Sequence, residues 1–349
     1  MRPRLRLSSR LRNGSRSRLR ASAPRTSTRL GRRAALRILG GAVIGGASAG
    51  AMTVGCSGED DVDVGELRLA TGPAGAVYRR IGGGLAGLIA DRFPDATVTT
   101  VPSRASTDNI RMLSRGDADL GLSSLDAVIG PDGRPPDGIA ALCRLYDSYL
   151  HLVVLRDTPV WSVADLDGMR VSYGARNSGT EFTTHRLVDL AGVRVDAVRL
   201  DQAESAEALD SGDIHAAFSL TGIPTPAISE LAAEREIRFV AMEEQAGALA
   251  DAFPGPYIPA TIPATVYEGV RATPTVAVPN VLLARSDLDD DVVRAVTETV
   301  FTRAGELTTD RPDAPAVPQA WQINVRTGIS TGSIPLHPGA REWFRAQKR

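Results

Sequence analysis

Lysine is almost absent: the single one among 349 residues is Lys348, beside the C-terminus. A P-loop lysine, a Schiff-base lysine and a Ser-x-x-Lys nucleophile pair therefore have no residue to use. Cysteine and histidine are scarce as well. Cys56 and Cys143 stand 87 positions apart, and His151, His185, His215 and His337 are scattered, so no local metal-ligand spacing exists and neither metal nor other cofactor is expected. Acidic residues are missing from the first 55 positions, which hold 13 of the 40 basic residues. From Cys56 onward 27 basic residues face 41 acidic ones, a net charge of −14 with histidine neutral. That balance argues against a nucleic-acid-binding body.

What is there begins with an address. The arginine-rich leader ends at Arg32, Arg33 and Arg37 and gives way to a mild apolar run, rich in Gly and Ala, from Ile38 to Gly55. This is the layout of an export signal, and paired arginines before a weakly hydrophobic stretch point to the twin-arginine route rather than to a membrane span. The run closes on Thr53-Val54-Gly55-Cys56, which resembles a lipoprotein cleavage box, although Thr53 stands where Leu is preferred. Residues 1–55 are then the signal, Cys56 the lipidated first residue of the mature protein, and 56–65 a flexible tether holding it to the outer face of the cytoplasmic membrane. A Gly-x-Ser-x-Gly pattern at Gly46–Gly50 falls inside this signal and carries no weight.

The 294 residues from Cys56 exceed what one core usually holds, and an internal repeat shows how they divide. Leu113-Ser114-Arg115-Gly116-Asp117 recurs 96 positions later as Leu209-Asp210-Ser211-Gly212-Asp213. Each copy closes a strand, Gly-rich loop, helix, strand, helix unit: Leu67–Ala70, Thr71–Ala76, Val77–Asp91, Thr97–Val101 and Asp108–Ser114, then Arg170–Tyr173, Gly174–Gly179, Thr180–Ala191, Ala197–Leu200 and Ser205–Ser211. Alternating strands and helices of this length imply an α/β fold of two lobes, each with a parallel-type sheet. A ligand would sit between them, beyond the carboxyl ends of the strands, where helix N-termini favour an anion. The proline-dense run Phe253–Pro263 reads as a fixed extended loop. Thr275–Ala284 is strand-like and Leu288–Leu307 helical, so the tail returns to lobe one. The expected division is 66–153 plus 275–349 for lobe one and 154–274 for lobe two, joined by hinge strands near Leu152–Leu155 and Thr275–Val278. Residues 308–327 carry no assignable pattern.

Motifs in order across Leu67–Phe344 make the chain resemble the TAXI family of extracytoplasmic solute-binding proteins, the receptors of one class of TRAP transporters. They are Thr71-Gly72 through Gly75 to Tyr78, Ser106–Asn109, Gly116–Gly121, Ser162–Leu166, Ser178-Gly179-Thr180-Glu181, Gly222-Ile223-Pro224, Tyr257–Pro263 and Leu336–Ala340. The resemblance implies a two-lobed type II periplasmic-binding-protein fold, no enzymatic activity, and a ligand pocket formed by Gly75, Ala76 and Tyr78, by Ser106 and Asn109, by Ser124, and by Ser178, Gly179 and Thr180. Thr221 and Tyr257 are weaker carry-overs. Where the family commonly has Gln-Ser-Asp, this chain has Ser124-Leu125-Asp126, and Arg104 and Arg176 occupy loops that are usually small and uncharged.

Physically, Ser178-Gly179-Thr180 at a helix start could hold a carboxylate by backbone N–H groups and two hydroxyls. Arg104 and Arg176 could grip a second carboxylate bidentately, or lie solvated on the surface. Tyr78 and Tyr257 could cover an aliphatic stem, or serve as a core ring and a loop clamp. The expected ligand is a small organic anion, a glutamate-like amino acid or a dicarboxylate. The implied partner is a TRAP permease, the alternative a membrane sensor kinase. An extracellular hydrolase is the reading from another class, and it lacks a histidine in any expected pocket loop. Cys143, His151 and Trp161 are expected to be core or lobe-packing residues.

Overall fold

The structure is a computed structural model that describes residues 64–130, 133–310 and 315–348. Arg32, Arg33, Cys56 and the tether to residue 63 lie outside the described residues. No helix among the described residues is long and apolar enough to cross a membrane.

The first repeat unit folds as β1 (Glu66–Ala70), α1 (Val77–Arg92), β2 (Thr97–Val101), α2 (Ser106–Arg115) and β3 (Leu120–Ser124), followed by the short α3 (Leu125–Ile129). The chain then crosses on the 17-residue β4 (Ile139–Leu155). The second unit is β5 (Arg170–Ser172), α4 (Gly179–Ala191), β6 (Asp196–Val198), α5 (Gln202–Ser211) and β7 (Ala216–Thr221), extended by α6 (Pro226–Glu234), β8 (Ile237–Phe239), α7 (Glu243–Ala252) and β9 (Ile258–Ile262). The return strand β10 (Thr273–Arg285) leads to α8 (Asp290–Arg303), the single turn α9 (Val325–Gly328) and α10 (Pro338–Ala346).

The repeated Gly-Asp has a local cause. Gly116 and Gly212 end α2 and α5 in the left-handed conformation, at φ 75° and 78°, which glycine adopts without steric cost. Each turn sends the chain into the strand that completes a parallel trio, β2-β1-β3 in one unit and β6-β5-β7 in the other.

The sheets differ from expectation in one respect: they are joined edge to edge into the single path β2-β1-β3-β10-β4-β7-β5-β6. The long strands β10 and β4 are the reason, since they run antiparallel to β3, to each other and to β7. Their pairing slips between Pro279 and Val281, where proline offers no N–H to the ladder, and again between Leu282 and Leu283. The proline-dense run also differs from expectation. Ile258–Ile262 pairs with β10 as an edge strand, and an edge is where a ladder tolerates Pro259.

Helices α1, α8 and α10 cover one face of the first trio, and Ile110, Leu125 and Val128 of α2 and α3 cover the other. Around the second trio, Leu187, Ala246 and Leu249 of α4 and α7 pack on one side, and Leu209, Ile228 and Leu231 of α5 and α6 on the other. Within the stretch that carries no sequence pattern, a 3-10 turn at Pro318–Gln322 buries Ala320 in the first core. Gln319 Nε2 donates to the Pro224 carbonyl (3.2 Å) and Gln322 Oε1 accepts from the Asp147 N–H (2.9 Å), so this segment ties the far side of β4 to the loop after β7.

Candidate functional site

Four helices begin at one cleft. Ala76, Val77 and Tyr78 bring the start of α1, Arg104 to Ser106 that of α2, Ser178 to Thr180 that of α4, and Asp201, Gln202 and Ser205 that of α5. Strand residues Tyr146, Ser148, Ser219 and Thr221 form the floor. Helix starts present free backbone N–H groups and a partial positive charge, so their convergence suits an anion.

The floor is a hydrogen-bonded set that sequence reasoning did not find. The Tyr78 hydroxyl donates to Asn280 Oδ1 and lies 3.4 Å from Ser106 Oγ. Asn280 Nδ2 donates to the Tyr146 carbonyl (3.0 Å) and to Ser148 Oγ (2.8 Å). Asn280 reaches these partners because it sits at the slip in the β10 ladder, and no local pattern reveals that. Burial pushes the Tyr78 and Tyr146 phenols well above their ordinary range, so both are neutral donors. The Tyr146 hydroxyl is buried without a hydrogen-bond partner among the described residues, and Tyr146 is one of the residues lining the cleft. A buried polar group left in that condition is costly unless something fills its need.

The cleft is shut at one point by a glycine. A Cβ on Gly179 would stand 2.8 Å from Ser106 Oγ and 2.8 Å from Ser124 Oγ, so no larger residue allows α4 to meet the starts of α2 and α3 this closely. Ser106 Oγ accepts from the Ser124 N–H (3.0 Å), and Ser124 Oγ is buried without a partner. The two hydroxyls expected to hold a carboxylate have other tasks. Ser178 Oγ accepts from the Glu181 N–H (3.1 Å) as the cap of α4, and Thr180 Oγ1 accepts from the Leu220 N–H (3.0 Å). Each keeps one O–H to donate.

Other expected site residues lie beside the cleft rather than in it. Asn109 is fully buried, and its Nδ2 donates to the carbonyls of Ala70 (3.3 Å), Thr71 (2.7 Å) and Leu122 (2.7 Å), fastening the first Gly-rich loop to β3. Gly75, at φ 78°, turns that loop but is not part of the cleft wall. The two arginines part company: Arg104 stands exposed at the rim, whereas Arg176 lines a separate surface depression with Arg170 and Arg199. Tyr257 is buried away from the cleft, where its hydroxyl donates to Asp126 Oδ2 (3.0 Å) and accepts from Arg186 Nη1 (3.2 Å). Asp126 Oδ2 also accepts from Thr183 Oγ1. Burial raises the Asp126 pKa, opposed by the bonds from Thr183 and Tyr257 and by the Arg186 charge. This second cluster joins α3 to α4 and to the residue before β9, the clamp role weighed for Tyr257.

No histidine lines the cleft. His151 is buried in the second core, hydrogen-bonded to the Tyr149 and Ser219 carbonyls and to Tyr267, and burial lowers its pKa to about 4. Cys143 is buried too, with its thiol pushed far above the ordinary range. Trp161, expected to be a core or lobe-packing residue, is instead 72% exposed, and the Arg238 guanidinium covers its ring at 3.9 Å. Among the described residues no cluster of three or more His, Cys, Asp or Glu could hold a metal ion.

Three solved structures are similar to this chain. A protein of Bordetella bronchiseptica RB50 is 15% identical over 80% of this chain and 89% of its own, with a TM-score of 0.50. XAC2383 from Xanthomonas citri, bound to ATP, is 14% identical over 80% and 94%, TM-score 0.48. The alkanesulfonate-binding protein SsuA from Xanthomonas axonopodis pv. citri, bound to MOPS, is 16% identical over 81% and 84%, TM-score 0.46. At such identities the likeness concerns the fold alone, an α/β architecture with a mixed sheet. The sequence itself matches a family model over residues 69–347, from β1 to the end of α10 and so through every element that builds the cleft, and the chain belongs to the NMT1-like family.

Proposed function

We propose that the protein is an exported, non-enzymatic solute receptor that captures a small organic anion between its two lobes. The observation that carries this reading is the convergence of four helix N-termini on one cleft. The lobes divide as 66–153 with 275–349 and 154–274, joined by hinge strands near Leu152–Leu155 and Thr275–Val278. Residues 1–55 direct twin-arginine export and Cys56 carries the lipid that holds the receptor at the outer face of the cytoplasmic membrane. The motifs of the TAXI group make a TRAP-type permease the acceptor of the captured solute. Ala76, Tyr78, Ser106, Ser178, Gly179, Thr180 and Thr221 form the binding surface, with Arg104 at the entrance. Gly75, Asn109 and Ser124 shape it from behind. Two of the ligands suggested by sequence, a glutamate-like amino acid and a dicarboxylate, are the first to try.

Thermal melting of the full-length chain against organic acids, amino acids and neutral sugars tests the reading, because a ligand that binds only the folded state stabilises it by about 2.7 kcal/mol at a hundredfold excess over Kd. Stabilisation by acids alone is expected. Stabilisation by neutral sugars alone overturns the anion reading. Transfer of a bound acid across vesicles that carry a TRAP permease tests the partner.

A further inference from the structure

The cleft does not end at the helix starts. The same cavity continues into the second lobe beneath α5 and α6, where Val153, Leu209, Ala217, Ile228 and Leu231 wall it. The polar groups along the way are satisfied by one another. Ser205 Oγ lies 2.8 Å from Ser172 Oγ, and Gln202 Nε2 donates to Ser219 Oγ (3.3 Å). Asp201 also lines the passage, with its carboxylate accepting the Glu204 N–H (2.9 Å) as the cap of α5. A second acidic group entering here would face that carboxylate and the apolar wall beyond it, with Arg176 elsewhere on the surface.

The repeat shows that the opening is a choice of side chains rather than a feature of the plan. At the 96-residue offset Ile110 of α2 corresponds to Ala206 of α5, and Leu113 to Leu209. Ile110 is packed into its core, whereas the half-buried Ala206 lines the cavity. The first lobe is filled at the position where the second stays open.

We infer that the ligand carries one acidic head, held at the helix starts, and an apolar tail, a short alkyl chain or a phenyl ring, seated under α5 in the second lobe. This rests on the reading of the cleft as an anion receptor and narrows its substrate class to amphipathic monocarboxylates or similar anions.

Calorimetric titration of the full-length chain with butyrate, hexanoate, 3-phenylpropionate, succinate and L-glutamate tests it. Affinity should rise about fourfold per methylene from butyrate to hexanoate, and 3-phenylpropionate should bind more tightly than succinate. Ala206→Ile, which installs the side chain of the first repeat unit, should abolish the gain of hexanoate over butyrate. Ala206→Val is the gentler variant should the isoleucine unfold the lobe. Succinate or glutamate binding more tightly than hexanoate, or a chain-length gain that survives Ala206→Ile and Ala206→Val, overturns the inference and leaves the receptor reading standing. Silence with every acid overturns both.

Discussion

The two repeat units have the same plan and treat their second helix in opposite ways. Helix α2 follows Ala105, which offers no side-chain cap and sits at φ 81°, a conformation costly for a residue with a Cβ. Helix α5 follows Asp201, at the matching position, with ordinary extended geometry and a reciprocal capping box to Glu204. One turn later Asn109 fastens three backbone carbonyls, while its counterpart Ser205 reaches only Ser172 Oγ and the Leu200 carbonyl (3.4 Å). Then comes Ile110 against Ala206. The first repeat unit thus invests in a tightly held polar rim over a filled core, and the second in a well-capped helix over an open cavity. The same backbone can serve as a clamp or as a container, depending on three or four side chains per turn.

The largest way to break this comparison is to cut the tie in each unit. Asn109→Ala should cost about 3 kcal/mol, because several buried carbonyls lose their donor at once, and Ser205→Ala about 1 kcal/mol. Urea unfolding of both variants checks it, and equal costs would show that Asn109 is no more of a fastener than Ser205.

Contact between the units can be probed by pH. Asp126 of the first unit bonds Thr183 of the second, and burial raises its folded pKa above the unfolded value. A carboxylate so placed binds more protons folded than unfolded, so its effect on stability turns unfavourable as pH rises from the ordinary carboxylate range toward the raised value. Asp126→Asn keeps an acceptor oxygen for Thr183 and Tyr257 and removes the titration. Melting curves between pH 3.5 and 7 should therefore show the native chain losing stability relative to Asp126→Asn as pH increases. Parallel curves would mean that the carboxyl does not titrate differently on folding.

Smaller effects belong to the helix starts. Asp201→Ala should destabilise by about 1 kcal/mol through loss of the cap. Ala105→Gly should stabilise by about 0.5–1 kcal/mol, since glycine occupies that region freely. Thermal denaturation reads both. A gain on removing Asp201, or a loss on relaxing Ala105, would reverse the assignment of strain to the first unit.

Much of this was legible beforehand because its causes are local. The elements of both units follow from strand and helix periodicity, and Gly116 and Gly212 mark helix ends through a backbone angle that only neighbouring atoms constrain. The placing of Ser178, Gly179 and Thr180 at a helix start followed from the same pattern, whereas Ser106 came from the family resemblance and the structure sets it at the start of α2. Proline was read too simply. Its missing N–H bars it from a central ladder, yet Ile258–Ile262 is an edge, and only strand order reveals an edge. Asn280 and Tyr146 carried no signal, since each matters through partners far along the chain: Tyr78 is 202 positions from Asn280.

By itself, then, the sequence determined the repeat, the order of its helices and strands, the convergence of helix starts and the near-absence of lysine chemistry. These depend on φ preferences, on the two-residue and 3.6-residue periods, and on which atoms exist at all. The tertiary structure decided which hydroxyls are already engaged, which of two arginines reaches the cleft, where Asp126 finds its partners in the other repeat unit, and which copy of the repeat is hollow. Those outcomes depend on distances between groups that the chain brings together only when it folds, where angstroms of separation and loss of water set the energies.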